Sequence, residues 1–393
     1  MKIATSFPAA PSPAPERAAG GASLAAVPPA NAEDSPAPAT PPETVPGLPV
    51  GIDLLARLEG ICAHRGLGRL ADRLSDMVAF IGQDLEALEG EIARLPRSSR
   101  QVNRSAMHLI DLGGKRLRPM CLILTSRMGT GEAQKVMDLA VAVELVHSAT
   151  LLHDDVVDLS DFRRGAPTAR AVYGNAASIF AGDWLLIEAL RRVDRCRLEG
   201  CLEELFAIIE EMIFAESLQL ETRGRVSTDR DLYFQVVEGK TASVFRWAMS
   251  AGARVSGLPD ADRQALIDYG RHLGITFQAT DDLLDLTGDT ATTGKDLFAD
   301  LREGKMTFPL IVALERDPDL RAVIEEILEG EAVSDSAAAR VVSSLKATRA
   351  VEECLTLARK HSDEALAALD RLPASRARRA LATVAETIVD RDL

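Results

Sequence analysis

The chain has 393 residues, of which 47% are hydrophobic and only 4% aromatic. This composition predicts a large, mainly aliphatic core and favours helices. The net charge of −14 argues against a generic nucleic-acid binder, which would need a basic face. The five cysteines show no CxxC or Cys/His spacing. We therefore expect neither a cysteine zinc site nor a disulfide framework, and we predict a reducing compartment.

The N-terminal segment is rich in proline and alanine, as in "PAAPSPAPERAAGG". Such a segment buries too little apolar surface to offset the entropy of ordering. We predict a disordered tail over residues 1–50 and one domain over residues 51–393. The sequence does not start with a basic segment followed by an apolar one, so we predict no signal peptide. The most apolar stretch, "VMDLAVAVELVHSATLLH", is interrupted by Asp138, Glu144 and His147, so we predict a cytoplasmic protein without a membrane span.

Helical periodicity dominates the remaining chain. In "MVAFIGQDLEALEGEIARLP" the apolar residues at alternating steps of four and three are Ile81, Leu85, Leu88, Ile92 and Leu95. This spacing predicts one buried helix face, and the following proline ends the helix. Similar patterns recur in "CLEELFAIIEEMIFAESLQLE", "LRAVIEEILEG" and "CLTLARKHSDEALAAL", and no run alternates like a strand. The predicted fold class is all-α.

Two acidic clusters of the form DDxxD each follow a predominantly apolar segment. Their members are Asp154, Asp155 and Asp158 in "DDVVD", and Asp281, Asp282 and Asp285 in "DDLLD". In a helix, acids four residues apart share a face and repel each other, so a cation must compensate their charge. Carboxylate oxygens suit Mg²⁺, whereas zinc prefers histidine or cysteine. One such cluster is more often a solvated helix end, but two copies favour a metal site.

Basic residues accompany turn glycines in four further segments. They are Lys115, Arg116 and Arg118 in "GGKRLRP", Arg163 and Arg164 in "FRRG", Lys240 in "EGKTA", and Lys295 and Lys305 in "GKDLFADLREGKMTFPLI". Arginine binds phosphate oxygens as a planar fork, and lysine supplies a point charge. Each residue alone could be a solvated surface charge. Together with the acidic clusters they predict a diphosphate site. A nucleotide site is not predicted, because the sequence has no GxxxxGK[ST] or GxGxxG motif placed after a strand.

These motifs, in this order, resemble those of the trans-isoprenyl diphosphate synthases, or polyprenyl synthetases. "DDVVDLSDFRRG" resembles their first aspartate-rich motif, "FQATDDLLD" their second, and the basic segments their other blocks, from about residue 70 to the C terminus. The resemblance implies the isoprenoid synthase fold, an antiparallel helix bundle around a deep central cavity, usually as a homodimer. It also implies transfer of an allylic diphosphate's prenyl group to isopentenyl diphosphate with about three Mg²⁺ ions. Membrane contact would matter only for release of product.

The resemblance further implies roles for individual residues. The Mg²⁺ ligands would be Asp154, Asp158 and Asp281, with support, directly or through water, from Asp155, Asp282 and Asp285. The allylic diphosphate would be held by Arg163, Lys240, Gln278 and Lys295. Isopentenyl diphosphate would be held by Lys115, Arg118, His147 and Arg164, and further substrate contacts would come from Thr241 and Lys305. The catalytic residues would be Asp154, Asp155, Asp158, Arg163, Lys240, Asp281 and Lys295.

Product length is predicted from the residues about one helical turn before Asp154, which are Ala149 and Thr150. Both are small, whereas bulky aromatics at these positions stop chain growth early in this family. The first acidic motif also lacks the two-residue insertion found in many short-chain members. The chain therefore resembles the long-chain octaprenyl, solanesyl and decaprenyl synthases that serve quinone side chains. Geranylgeranyl diphosphate synthesis is the alternative if Phe180 or Trp184 forms a deeper floor.

Two other functions share parts of this pattern. A terpene cyclase shares the fold and the first acidic cluster, but its second metal motif needs Ser/Thr and Glu where this chain has Asp285 and Asp289. A cyclase would also have no use for the residues that bind isopentenyl diphosphate. A non-catalytic partner subunit would be expected to lack some acids or arginines, and this chain keeps them all. The sequence thus predicts a catalytic, long-chain prenyltransferase.

Overall fold

The computed structural model describes residues 68–287, 298–330 and 333–389, and every structural statement below refers to these residues. The predicted boundary between residues 50 and 51 lies outside them, as does Lys295. The helices before the first acidic cluster are α1 (Gly68–Ala93), α2 (Gln101–Asp111), α3 (Leu117–Ser126) and α4 (Ala133–Val157), which carries it. A hairpin follows, formed by β1 (Phe162–Arg163) and β2 (Ala166–Pro167).

The rest of the described chain is helical. These helices are α5 (Ala169–Tyr173), α6 (Asn175–Cys196), α7 (Cys201–Thr222), α8 (Arg230–Val237), a π-helical turn (Glu238–Ala242), α9 (Ser243–Val255), α10 (Asp260–Thr287), α11 (Ala299–Arg302), α12 (Phe308–Arg316), α13 (Leu320–Glu329), α14 (Asp335–Ala347), α15 (Ala350–Asp370) and α16 (Arg376–Val389). The all-α prediction is confirmed.

The predicted apolar face is the buried face of α1. The five predicted residues are at most 3% exposed: Ile81, Leu85, Leu88 and Ile92 lie in α1, and Leu95 lies two residues after its end. The helix ends at Ala93, three residues before Pro96, and Leu95 is the residue that the proline disfavours in the helical region. Burial of this face is what stabilises the long helix, since propensity alone gives helices little stability in water.

The β1–β2 hairpin was not predicted. It contains a single antiparallel ladder in which Phe162 pairs with Pro167 and Arg163 with Ala166. The two turn residues, Arg164 and Gly165, have φ values of 53° and 75°. Positive φ at both central positions is typical of a two-residue hairpin turn, and glycine takes it without steric cost.

Helix α4 is long and apolar. By length and composition it could cross a membrane, with a mean hydropathy of 1.4 over its best window, but 72% of that window is buried inside the fold. The two acids within its apolar stretch are buried and paired, Asp138 with Arg192 at 2.9 Å and Glu144 with Arg116 at 2.6 Å. The helix packs against α6, α3 and α9. These contacts identify it as a core helix that ends at the first acidic cluster.

Two apolar cores meet along α10. The first is built from α1–α7, α9 and α16, and the second from α8 and α11–α14, while α10 and α15 contribute to both. The C-terminal half of α10 lies in the second core and carries Asp281, Asp282 and Asp285. Both acidic clusters are thereby fixed at the C-terminal ends of long, well-packed helices.

Candidate active site

The first acidic cluster meets cations from three separate elements. Asp154 lies 3.4 Å from Nζ of Lys240, which is on the π-helical turn. Asp158 accepts a hydrogen bond from Nζ of Lys305 at 2.8 Å and forms an ion pair with Arg223, at the end of α7. Cations at a helix C terminus also interact favourably with the helix dipole. The end of α4 is therefore a concentrated negative site that the fold surrounds with positive charge.

The pKa values of Asp154 and Asp158 are shifted in opposite directions. Burial raises the pKa of Asp154, and the nearby charges of Glu216 and Asp158 add to this against the opposing effect of Lys240. Burial alone would also raise the pKa of Asp158, but Lys305 holds it below its ordinary value. Asp154 thus carries the less compensated charge, as expected of a carboxylate that has room for a further cation.

The third acid of the cluster serves the hairpin. Asp155 is 1% exposed and accepts a hydrogen bond from Nε of Arg163 at 2.8 Å. On the other side of the turn, the guanidinium of Arg164 lies over Gly114. A Cβ at Gly114 would come within 3.2 Å of both terminal nitrogens of Arg164 and within 3.3 Å of Glu144. The glycine is thus required for the close approach of the arginine.

The segment "GGKRLRP" contains arginines with different environments. Arg116 is 3% exposed and donates to Glu89 at 2.8 Å and to Glu144 at 2.6 Å. These contacts raise its pKa despite burial. It joins α1 to α4, and removing one partner of such a buried pair typically costs about 3–5 kcal/mol. Arg116 is therefore structural, in agreement with its omission from the predicted substrate contacts.

Arg118 is placed for binding an anion. Its guanidinium stacks on Phe245 at 4.7 Å and on Phe277 at 5.6 Å, measured to the ring centroids. Its Nε atom is buried and has no hydrogen-bond partner. Burial lowers the pKa of Arg118 to about 10, so the side chain stays charged at neutral pH. A partly buried cation with an unsatisfied buried donor is a site for a phosphate oxygen.

His147 lies in the same positive region. Burial lowers its pKa well below the ordinary value, and the charges of Arg118 and Arg164 lower it further. The imidazole is therefore neutral at pH 7 and can act only as a hydrogen-bonding group. The structure thus brings together three of the four residues predicted for isopentenyl diphosphate, while Lys115 is exposed near the start of α3.

In the second acidic cluster, Asp282 and Asp285 are held by hydrogen bonds within the fold. Asp282 is 2% exposed and accepts hydrogen bonds from Oη of Tyr233 and Nε2 of Gln278, both at 2.8 Å. Burial, with the charge of Asp300 nearby, raises its pKa to about 7. The Asp285 carboxylate accepts from the backbone N–H groups of Ala299 at 3.0 Å and Asp300 at 3.3 Å. Asp285 therefore fixes the start of α11 against α10.

Two residues of α7 and the residue that follows it join the site, although sequence reasoning missed them. Glu216 and Gln219 accept hydrogen bonds from Lys240 at 2.5 Å and 3.2 Å, and Arg223 binds Asp158. Glu216 and Gln219 are three residues apart and share one face of α7, and Arg223 is the residue directly after the helix. Polar residues at helical spacing on a largely apolar helix were the available signal.

A cleft opens beside these residues. It contains about 880 Å³ of empty space, part of it open solvent, and its walls include Lys240, Thr241, Gln278 and Lys305. The hydroxyl of Thr241 donates to Oε1 of Gln278 at 2.9 Å. The cleft thus unites four of the residues predicted to contact substrate. The alternative floor residue Phe180 is instead 59% exposed on α6.

The donor set suits Mg²⁺ brought in by a phosphate ligand. Among the described residues no three His, Cys, Asp or Glu side chains form a ready metal cage. Asp154 and Asp158 instead face lysine and arginine. Mg²⁺ is commonly held by one or two carboxylates, with phosphate oxygens and waters completing its shell. The carboxylates of the two clusters therefore fit a metal that shares its shell with a diphosphate.

Comparison with known proteins gives a consistent result. The sequence profile described as "Polyprenyl synthetase" matches residues 99–345. Heptaprenyl diphosphate synthase component 2 of Geobacillus stearothermophilus is 34% identical over 81% of this chain and 99% of its own length. Octaprenyl diphosphate synthase of Escherichia coli is 33% identical over 82% of this chain and 99% of its own length.

A solved structure extends the similarity to the fold. A polyprenyl synthase from Caulobacter crescentus, complexed with calcium and isoprenyl diphosphate, superposes with a TM-score of 0.76 at 35% identity, covering 82% of this chain and 98% of that one. The isoprenoid synthase fold is thereby confirmed. The products named for the similar proteins include geranylgeranyl, nonaprenyl and decaprenyl diphosphate. The chain belongs to the polyprenyl synthetase family and is a prenyltransferase.

Proposed function

We propose that this prenyltransferase uses Mg²⁺ to condense isopentenyl diphosphate with an allylic diphosphate, and that it makes a long all-trans chain for quinone side chains in the cytoplasm. The observation that carries the proposal is the presence of two separate cationic groups around the end of α4. Lys240 and Lys305 face the acids and the cleft. Arg118 and Arg164 surround His147. Two groups of this kind match a reaction with two diphosphate substrates.

The first group would bind the allylic diphosphate. Lys240 and Lys305 would neutralise its oxygens, and Gln278 would orient it through the hydrogen bond with Thr241. Mg²⁺, held by Asp154, Asp158 and Asp281, would supply further charge neutralisation for the leaving diphosphate. Positive charge fixed where negative charge develops lowers the barrier to cleavage of the C–O bond. Lys295 and Arg163 would complete this group.

The second group would position isopentenyl diphosphate. Arg118 and Arg164 would hold its phosphate oxygens, with Lys115 at the rim. Neutral His147 would donate a hydrogen bond without adding a charge that repels the allylic cation. The alkene then attacks that cation, and a proton leaves, in our proposal to the departed diphosphate. The apolar wall of α4 would exclude water, which would otherwise quench the cation.

The product ladder tests this function. We expect purified protein with Mg²⁺, farnesyl diphosphate and labelled isopentenyl diphosphate to yield octaprenyl or longer chains, because Ala149 and Thr150 leave room beyond the acids. The dephosphorylated alcohols would be separated by length. A ladder that stops at geranylgeranyl would keep the reaction but contradict the long-chain assignment. Absence of any product, with metal and both substrates present, would contradict the function itself.

An exposed apolar face supports a homodimer. Side chains on α6 and α7 that are 46–66% exposed include Phe180, Ile187, Phe206, Ile213 and Phe214. Large exposed apolar residues on neighbouring helices mark an interaction surface, and a second copy can bury such a surface by two-fold symmetry. The heptaprenyl relative is named as one component, so a heteromeric partner is the alternative.

Light scattering checks the oligomeric state. We expect the purified chain to have the mass of a dimer and Ile213→Glu to shift it to a monomer, because a charge would be buried at the interface. Lys346→Glu, a charge change on α14, serves as the control. A monomeric wild-type chain would contradict the homodimer and favour a different partner.

A further inference from the structure

We infer that the turn formed by Arg223, Gly224 and Arg225, at the end of α7, is a further binding element for the allylic diphosphate. This inference rests on the proposed function and deepens it, because it adds two cations to the same substrate site. Neither arginine belongs to the motifs that predicted the site. We refer to these three residues as the RGR turn.

Arg223 is tied directly to the first acidic cluster. Its guanidinium forms an ion pair with Asp158 and donates to the carbonyl oxygen of Val157 at 2.8 Å, at the C-terminal end of α4. Its Nε atom is buried and has no hydrogen-bond partner. An arginine with a remaining donor can orient a carboxylate and still donate a hydrogen bond to a phosphate oxygen. Arg223 is thus a positioning residue that acts through Asp158.

The RGR turn is held against the segment that supplies Lys305. Gly224 has a φ of 72°, and its N–H donates to the carbonyl oxygen of Gly304 at 3.0 Å. A Cβ at Gly304 would lie only 2.8 Å from Cγ of Arg223. Close packing of this kind leaves the two segments little freedom to separate. The turn and Lys305 are therefore presented to the cleft as one unit.

Arg225 extends the positive charge into the cleft. It lines the same space as Lys240 and Lys305. Within the described residues its guanidinium has no hydrogen-bond or ion-pair partner. Two carboxylates of the cleft are already engaged, because Asp229 accepts from the N–H of Leu232 at 3.0 Å and Asp282 accepts from Tyr233 and Gln278.

The third carboxylate of the cleft, Asp300, lines the same space as Lys305. The charge of Arg225 is therefore left for a ligand. A guanidinium matches the spacing of phosphate oxygens and donates charge-assisted hydrogen bonds to them.

The allylic diphosphate is the substrate that fits this position. The cleft also contains Thr241 and Gln278, which belong to the set assigned to that substrate. The cations assigned to isopentenyl diphosphate, Arg118 and Arg164, do not line it. Loss of Arg225 should therefore weaken binding of the allylic diphosphate and leave binding of isopentenyl diphosphate unchanged.

The test compares Arg225→Gln and Arg223→Gln with Arg225→Lys and with Arg359→Gln, an exposed arginine on α15. We expect Arg225→Gln to raise the KM for farnesyl diphosphate by about tenfold, the loss expected for one charge-assisted hydrogen bond. The KM for isopentenyl diphosphate should not change, and Arg225→Lys should recover part of the loss. Arg223→Gln should also raise the Mg²⁺ concentration that gives half-maximal rate, because Asp158 loses its orientation.

Calorimetry with inorganic diphosphate and Mg²⁺ provides a readout that does not depend on turnover. We expect weaker binding for both glutamine variants and wild-type binding for Arg359→Gln. Equal binding by Arg225→Gln and Arg359→Gln would overturn the inference, as would a rise in the KM for isopentenyl diphosphate instead. If the wild-type protein makes no product, the proposed function fails, whereas the calorimetry still decides the role of the turn. If Arg223→Gln fails to fold, exposed Arg225 keeps the test decisive.

Discussion

Asp154→Asn is expected to lower kcat by about 10²–10³-fold, the usual loss when one preorganised electrostatic group is removed from a transition state. The carboxylate stands at the end of α4 beside Lys240, and its charge is only partly compensated. An amide of the same shape cannot neutralise a metal ion. The departing diphosphate would therefore lose much of its stabilisation, while the helix and its packing would remain.

The same substitution is expected to leave the free energy of unfolding unchanged or higher at neutral pH. The pKa of Asp154 is raised in the folded chain by burial and by the charges of Glu216 and Asp158. A carboxyl with a raised pKa destabilises the fold once it is ionised, so the neutral amide removes a cost above that pKa. Below the ordinary aspartate pKa of about 4 the advantage should vanish.

Denaturant unfolding at several pH values and steady-state kinetics would measure both effects. Asp194→Asn, at a half-exposed residue on α6, is the matched control and should change neither quantity. Undiminished turnover in Asp154→Asn would contradict its assignment as a metal ligand. Lower stability at neutral pH would show instead that the ion pair with Lys240 outweighs the repulsion.

The acidic clusters and the apolar helix faces could be predicted because each is a local pattern. The spacing within "DDVVD" determines which acids share a face, and the periodicity before it determines which side is buried. The two arginines of "GGKRLRP" show where local patterns fail. Arg116 and Arg118 are two residues apart in the sequence. Arg116 has a structural role because it contacts Glu89 on α1 and Glu144 on α4, and these contacts cannot be read from the local pattern.

The remaining features depend on contacts between distant segments. Glu216 and Arg223 reach the site only because α7 packs beside the π-helical turn and the end of α4. Asp285 belongs to a perfect repeat of the acidic motif, but it also accepts two backbone hydrogen bonds at the start of α11. A motif identifies a group of residues with shared chemistry. Tertiary packing then divides that group into residues that face the ligand and residues that support them.

Thr150→Phe is expected to shorten the product from octaprenyl or longer to geranylgeranyl or shorter. Thr150 lies one turn before Asp154 and is only partly buried, and its hydroxyl donates to the carbonyl oxygen of His147 at 2.8 Å. A phenyl ring there would occupy space that the growing chain must pass. Binding of the diphosphates uses other residues, so the first condensation should continue.

Ala149 offers less room for the same experiment. It is 2% exposed, and its carbonyl oxygen would lie 3.0 Å from a Cβ at Gly182, so α4 and α6 are in close contact there. A bulky side chain at this position should therefore cost about 1–3 kcal/mol through overpacking in addition to any effect on length. Thr150 separates the two effects, because it changes the path of the product with less strain in the core.

Chromatography of the dephosphorylated products measures their chain length, with Thr150→Val as the control. Valine keeps the shape of threonine and removes only the hydroxyl, so the product length should match the wild type. If Thr150→Phe still makes the wild-type product, the chain does not pass this residue. A shortened product with wild-type stability would establish that the wall of α4 that ends at the acids is also the wall along which the product grows.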